Sequence, residues 1–436
     1  MKKHVWIMNH YAGNMFVDHG GRHYNFARYL KQAGYEPVVF CANSKHNAPA
    51  RWFESDALWQ EHMAEEIGVP FVFVKARTYT GNGKQRVLNM LDFYRNVQKA
   101  AREYAARNGA PDVIYASSVH PLTLVAGIRL AKRFGVECIC EVRDLWPESI
   151  VAYSSRLTKN HPLIRLLYQG EKWIYKKAGR LIFTREGDRD YLAEQGWDAP
   201  HGGPIDLNKV YYINNGVDIE TFVHYRDHFQ IQDPDLEDAD SFKVIYTGSI
   251  RHVNGLGLLL DAAKEVRDPR VRFLVWGDGD ELPALRQRVT DEHIGNVVFK
   301  GRVGKQYVPY IVSRADLNFN HNTPVSIFRF GISFNKLFDY LAAERPVLSD
   351  FPSNYNPSVQ WGAGREVEDP TPANIAREIE AFASIGPEDY ARYCANAAKA
   401  ARVFDFKALT EILTGVIEGT LGGNEQLRQY RDKLNG

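Results

Sequence analysis

The feature that most constrains this chain is an alternation, run through twice, of short apolar segments with amphipathic ones. Val5-Trp6-Ile7-Met8 is a strand-forming run. A loop containing Gly20-Gly21 follows, and then Tyr24, Ala27, Leu30 and Ala33 recur at helical spacing up to Gly34. Pro37 to Cys41 is the next strand. Strands joined through a helix imply a parallel sheet. The pattern continues through Phe71–Val74, Asp112–Ala116, Glu137–Val142 and Leu181–Thr184. A polar stretch, Asp227 to Ser241, separates the two runs. The second starts at Phe242–Thr247 and passes through Val271–Trp276, Val297–Val303, Ala315–Phe319 and Pro346–Leu348. At 436 residues the chain exceeds one typical domain. The expectation is an α/β protein with two Rossmann-like, parallel-sheet domains in series, residues 1–210 and 211–404, and a helical tail.

Several function classes drop out. The net charge of +1 gives no case for nucleic-acid binding. The four cysteines, Cys41, Cys138, Cys140 and Cys394, have no CxxC or Cys/His ligand spacing, which suits free thiols in a reducing cytosol. His4, Asn9 and His10 interrupt the N-terminal apolar run, so it reads as a first buried strand rather than a signal peptide. No window approaches a membrane span. There is no GxGxxG after the first strand, no Walker loop and no HExxH. There is also no GxSxG elbow. Asp278-Gly279-Asp280 lies in a glycine-rich turn and Asp188-Arg189-Asp190 in a predicted helix; neither is expected to bind a metal.

Candidate chemistry gathers at strand and helix ends. In Val325–Leu348, Ser333 is a candidate N-cap for a helix whose apolar face is Phe334, Leu337, Phe338 and Leu341, and Pro346 stops it. A helix start offers free N–H groups and a positive dipole end, which suit an anion. Lys336 stands in the first turn and Asp339 one turn later, a cation for phosphate and a carboxylate for sugar hydroxyls. An ordinary capped helix with solvated charges fits the same residues. Ligands of open α/β sheets sit beyond the carboxyl ends of strands. His120, in the loop Ser117 to Pro121, and Arg143-Asp144 are placed there. Gly20 and Gly21, Gly248 to Asn254 and Gly301 to Val303 complete the candidate set. Arg156 to Arg180 is cationic, aromatic and amphipathic, which suits an anionic membrane surface or a helix packed on its own domain.

The strings GGRHYNFARYL from Gly20, EVRDLWPES from Glu141, NNGVD from Asn214 and YTGSIRHVNGLGLLLDAA from Tyr246 occur in one order. WGDGDE from Trp276, FKGRV from Phe299 and GISFNKLFDYLAAERPVL from Gly331 follow. Together they make the chain resemble glycosyltransferase family four, retaining enzymes of GT-B fold, and within it the bacterial O-antigen and capsule transferases of the WbuB type. The resemblance implies two domains facing across a cleft, a C-terminal helix of about 405–436 packed back on the first domain, and a nucleotide-sugar donor, with UDP expected. By position, Asp339 would hold the ribose and Gly301, Arg302 and Val303 would meet the base. Ser333 to Lys336 would cradle the diphosphate, with Gly20 and Gly21 opposite. His120, Arg143 and Asp144 would face the transferred sugar or the acceptor as the catalytic group. Gly331 and Asp339 stand where the family has paired glutamates eight residues apart. Ser249 and Asn254 replace the usual Arg and Lys of the Gly248 loop, with Arg251 and Lys336 expected to supply the charge. The implied activity is metal-independent hexosyl transfer, without a cofactor, to a saccharide or lipid-linked saccharide in surface polysaccharide synthesis. It would take place in the cytoplasm or peripherally at the inner membrane face. A nucleotide-sugar 2-epimerase of GT-B fold and a non-catalytic transferase-like subunit are the alternatives.

Overall fold

Val5, Trp6, Ile7 and Met8 are all buried. A strand with no inside–outside alternation is covered on both faces, as parallel sheets require. In the computed structural model, which describes residues 2–118, 120–154 and 156–435, this run is strand β1 (His4–Met8) of an eight-stranded sheet. The other members are β2 (Glu36–Ala42), β3 (Trp59–Ala64), β4 (Val69–Val74) and β5 (Val113–Ser118). They are joined by β6 (Glu137–Val142), β7 (Arg180–Phe183) and β8 (Val210–Tyr212). The order across the sheet is β3-β4-β2-β1-β5-β6-β7-β8. All neighbours are parallel except β3 and β4. The short antiparallel β3 is absent from the sequence reading, because its residues WQEHMA show neither an apolar run nor strict alternation. Ser117 and Ser118, assigned to a loop on sequence, are the last residues of β5; Val119 beside them lies outside the described residues.

This first unit comprises the chain to Asn214 together with the segment from Phe406 onward. The helix Phe406–Glu418 explains the return. Its Phe406, Leu409, Leu413 and Val416 are buried in one cluster with Phe26 and Leu30 of the helix Arg22–Gln32. Phe26 and Phe406 meet edge to face at 5.5 Å.

The second unit, Asn215–Asp405, has six parallel strands. They are β9 (Phe242–Thr247), β10 (Val271–Trp276), β11 (Val297–Gly301), β12 (Leu317–Asn320), β13 (Val347–Ser349) and β14 (Gly364–Glu366). Their order is β11-β10-β9-β12-β13-β14. The polar stretch around Asp233 is part of this unit rather than a separator. Lys300 of β11 holds Asp233 at 2.7 Å and Asp235 at 2.5 Å, and Leu236 is buried beside them. Among the described residues no helix is long and apolar enough to cross a membrane.

Candidate functional site

Each sheet has one place where the strand order reverses, and open α/β sheets bind ligands beyond the carboxyl ends of strands at such points. In the second unit the reversal lies between β9 and β12. Thr247-Gly248-Ser249 leave the end of one strand, and Asn320-His321 the end of the other. The helix Asn335–Ala342 reaches this point with two side chains. Tyr340 Oη accepts from the Thr247 backbone N–H at 2.9 Å. Lys336 Nζ donates to the His321 carbonyl at 2.7 Å and lies 4.4 Å from the centre of the Tyr246 ring. Burial pushes the Lys336 ammonium down to about 7, against the opposing pull of Asp350. One turn on, burial pushes the Asp339 carboxyl up to about 7, tempered by Lys305. Near neutrality, therefore, each of these two groups changes charge in response to a small change in surroundings.

Ser333 does not cap this helix. The N-cap position falls on Phe334, with no side-chain cap. The aromatic packing explains the shift: Phe334 lies 5.5 Å from Phe328 and 5.9 Å from Phe351, which fixes how the chain enters the helix. Gly331, two residues before Ser333, has φ +105°, a conformation that L side chains rarely adopt. The turn into the helix thus accounts for glycine at this position.

The remaining C-terminal candidates divide. Ser249 Oγ donates to Asn254 Oδ1 at 3.0 Å, so these two are brought together, with Arg251 exposed between them. Gly301 closes β11, where its carbonyl accepts from Gly277 N at 2.9 Å, and Arg302 is exposed. Val303 packs on the cluster around Trp276 and Tyr310. These three stand at the end of β11, two strands away from β9. His321 escapes the sequence reading. Its Nδ1 is bonded to Asp350 at 2.5 Å, both side chains being buried. Both residues directly follow strands, which is the signal that could have found them.

In the first unit the reversal lies between β1 and β5. His10 follows β1, His120 follows β5, and His10 Nδ1 meets His120 Nε2 at 2.8 Å. Both rings are buried. Burial, with a smaller contribution from Arg86, pushes His120 down to about 3. Burial and then His120 likewise hold His10 well below its ordinary value. The pair is therefore neutral at pH 7. His10, read from sequence only as an interruption of an apolar run, is the partner that fixes His120.

Beside the pair, Glu141 organises a buried network. Arg22 Nε donates to it at 2.8 Å, Ser117 Oγ at 2.7 Å, and Tyr115 Oη also donates; His23 stands at 3.2 Å. Arg22 further donates to the carbonyls of Asn214 at 2.6 Å and Ile213 at 2.9 Å. Burial alone would raise the Glu141 carboxyl, but Arg22, then His23, hold it well below the usual range. The network fixes the start of the helix Arg22–Gln32. Gly21, with φ +95°, occupies its N-cap position, next to Gly20. Arg143 is half-buried, its backbone N–H donating to Ser118 Oγ at 3.1 Å, and Asp144 is exposed. His120 and Arg143 are thus linked through the ends of neighbouring strands, while Asp144 projects to solvent.

Among the described residues no group of three or more His, Cys, Asp and Glu is placed to hold a metal ion. Asp188 is paired with Arg185 at 3.1 Å, and Asp278 accepts from the adjacent Gly279 N–H.

Comparison with known proteins places both units. Residues 20–202 match the glycosyl transferase 4-like domain and residues 241–383 the glycosyl transferases group 1 domain. A probable glycosyltransferase WbjE of Pseudomonas aeruginosa is 22% identical over 245 residues, 56% of this chain. The match spans 58% of that relative's length. Among solved structures, sucrose-phosphate synthase from Thermosynechococcus elongatus superposes with TM-score 0.70 at 15% identity, over 96% of this chain and 99% of the other. The Anabaena Alr3699/HepE protein in complex with UDP superposes with TM-score 0.60 at 15% identity, over 96% and 100%. These likenesses show the GT-B fold.

Proposed function

This chain belongs to the GT-B glycosyltransferases, with a glycosyl transferase 4-like domain followed by a group 1 domain, and from that premise we propose that it is a retaining, metal-independent hexosyltransferase using a UDP-sugar. The observation that carries the reading is the Lys336 ammonium fixed at the strand reversal of the second unit, on a helix that begins one residue earlier. A cation and a helix start together suit a diphosphate. Asp339, one turn on, takes the ribose hydroxyls, and Gly301, Arg302 and Val303 meet the base. Ser249, Arg251 and Asn254 line the approach to the phosphates. The UDP complex of the Anabaena relative supports the choice of nucleotide.

On the first unit, His120, Arg143 and Asp144 meet the transferred sugar or the acceptor, with Gly20 and Gly21 allowing close approach of the backbone. No protein nucleophile is required. The departing phosphate takes the acceptor proton, and the protein contributes positioning and stabilisation of the leaving diphosphate. The name of the Pseudomonas relative and the resemblance to WbuB-type enzymes favour a lipid-linked saccharide acceptor in surface polysaccharide synthesis.

Thermal shift with UDP, GDP, ADP, CMP and dTDP tests the donor, because a ligand of the folded state raises its stability. UDP is expected to stabilise the wild type and to lose most of that effect in Lys336→Met. Equal shifts in the two proteins would remove Lys336 from the site. Turnover of the sugar nucleotide with EDTA present, with and without acceptor, then separates transfer from epimerisation.

A further inference from the structure

Between the helices Pro121–Phe134, Trp146–Tyr153 and Pro162–Lys177, the first unit holds a cavity of about 370 Å³. That volume lies in the range of small-ligand pockets. Leu122, Val125, Trp146, Leu166, Leu167 and Trp173 make its walls apolar. Ser118 and Val142, the last residues of β5 and β6, and the exposed Asp144 also line it. Its outer wall is unusual for a helix of a folded protein: Leu166 is 62% exposed, Trp173 41%, and Leu163 on the same helix 51%. Glu171 at the floor accepts from Tyr175 Oη at 2.7 Å and from Tyr191 Oη, and burial pushes its carboxyl up to about 7.

Cations stand on the helix that carries the exposed apolar side chains and on the helix facing it. Arg165, Lys176 and Lys177 are exposed on the same helix, Lys172 is half-buried there, and exposed Arg129 lines the cavity from the facing helix. An apolar slot rimmed by Lys and Arg is complementary to a hydrocarbon chain with an anionic head. A flat protein partner would not need a cavity of this volume.

We propose that this cavity receives the single hydrocarbon chain of a phosphate-bearing lipid, whose phosphate meets the exposed cations beside it. The proposal does not depend on the glycosyltransferase reading.

The test uses the whole protein and 10-bromodecyl phosphate, whose bromine quenches tryptophan. Trp146 and Trp173, which line the cavity, are the reporters. Gly170 also lines it, and a Cβ there meets nothing within 4 Å, so Gly170→Phe fills the slot without displacing backbone. Saturable quenching is expected in the wild type, at least tenfold weaker in Gly170→Phe. Decyl phosphate should compete, decanol less well, and inorganic phosphate not at all. Leu166→Glu, a change at an exposed position, should also weaken binding and guards against misfolding of the first variant. Non-saturable quenching, or equal affinity in wild type and both variants, overturns the proposal. So does a concentration-dependent dimer in sedimentation that Gly170→Phe abolishes, which would assign the slot to a second copy. UDP thermal shift on the same samples keeps the two readings apart. A shift without chain binding removes this proposal alone, and chain binding without a shift with any nucleotide removes the donor assignment alone.

Discussion

The two strand reversals carry different kinds of chemistry. In the first unit the central ion pair is locked before any ligand arrives: Glu141 holds Arg22, Ser117 and Tyr115, and His10 meets His120. In the second, the groups best placed for a ligand are poised rather than locked, with Lys336 and Asp339 both shifted to about 7 by burial. A buried ion pair satisfied on every side resists change, because removing one partner strands the other. A charge shifted by desolvation and only partly compensated does the opposite. It lets a bound ligand repay part of the desolvation, so affinity becomes sensitive to protonation.

The largest effect expected from that contrast is on folding. Glu141→Ala leaves Arg22 buried without its carboxylate and should cost about 3–5 kcal/mol, read as a lower urea midpoint. Arg22→Ala should cost a comparable amount, and the double variant less than the sum. A loss below about 1 kcal/mol would mean that the network is not what holds the helix Arg22–Gln32 to its sheet.

Lys336→Met should show the reverse profile. If the ammonium stabilises the leaving diphosphate, kcat/KM falls roughly 100- to 1000-fold. Folding should not suffer. A lysine depressed in the folded state contributes stability above its unfolded value near 10.5, and that contribution is lost as pH falls through about 7. The variant should therefore flatten the stability profile between about 7 and 10.5 and be no less stable than wild type at pH 7. A large loss of folding with little loss of turnover would make the second site as structural as the first.

A smaller effect is expected on nucleotide affinity. Asp339 is protonated below about 7, and Lys336 is neutral above about 7. Binding that needs the carboxylate and the ammonium together is strongest near pH 7 and falls on both sides, by up to tenfold per pH unit. Calorimetry of UDP binding from pH 5.5 to 8.5 measures this. Asp339→Asn should remove the acid limb and Lys336→Met the alkaline one. A flat profile would show that neither group changes protonation at the site.

The parts of this molecule that were legible in sequence are those where one residue's neighbours in the chain decide its surroundings. Buried parallel strands such as Val5–Met8 announce themselves as unbroken apolar runs. The two alternating runs carried the two parallel-sheet α/β domains for the same reason, and the family resemblance carried the GT-B fold class. Candidates at strand ends, including His120 and Arg143, followed from the general placement of ligands in such sheets. What stayed hidden depends on partners distant in the chain. Glu141 looks like a charged residue within a strand until Arg22, 119 residues away, is seen to pair with it. His10 and His120 are 110 residues apart, and His321 and Asp350 are 29 apart. The edge strand β3 was invisible because its alternation is weak, not because it is remote.

Ser333 shows the same limit at short range and gives the smallest effect. Serine before an apolar helical run is a good cap by residue type, and a true Ser cap is worth about 1 kcal/mol. Here the rings of Phe328, Phe334 and Phe351 set the entry to the helix, which starts at Asn335 with Phe334 in the cap position. Ser333→Ala should therefore change stability by less than about 0.5 kcal/mol, the usual range for a substitution that breaks no specific feature. Phe334→Ala should cost several times more, because it removes the aromatic contacts that aim the helix and so also displaces Lys336 from the His321 carbonyl. Urea denaturation of the two variants, with UDP affinity measured on each, decides the matter. If Ser333→Ala proves the costlier change, the serine caps the helix after all, and the packing of the three rings is incidental to the placement of the lysine.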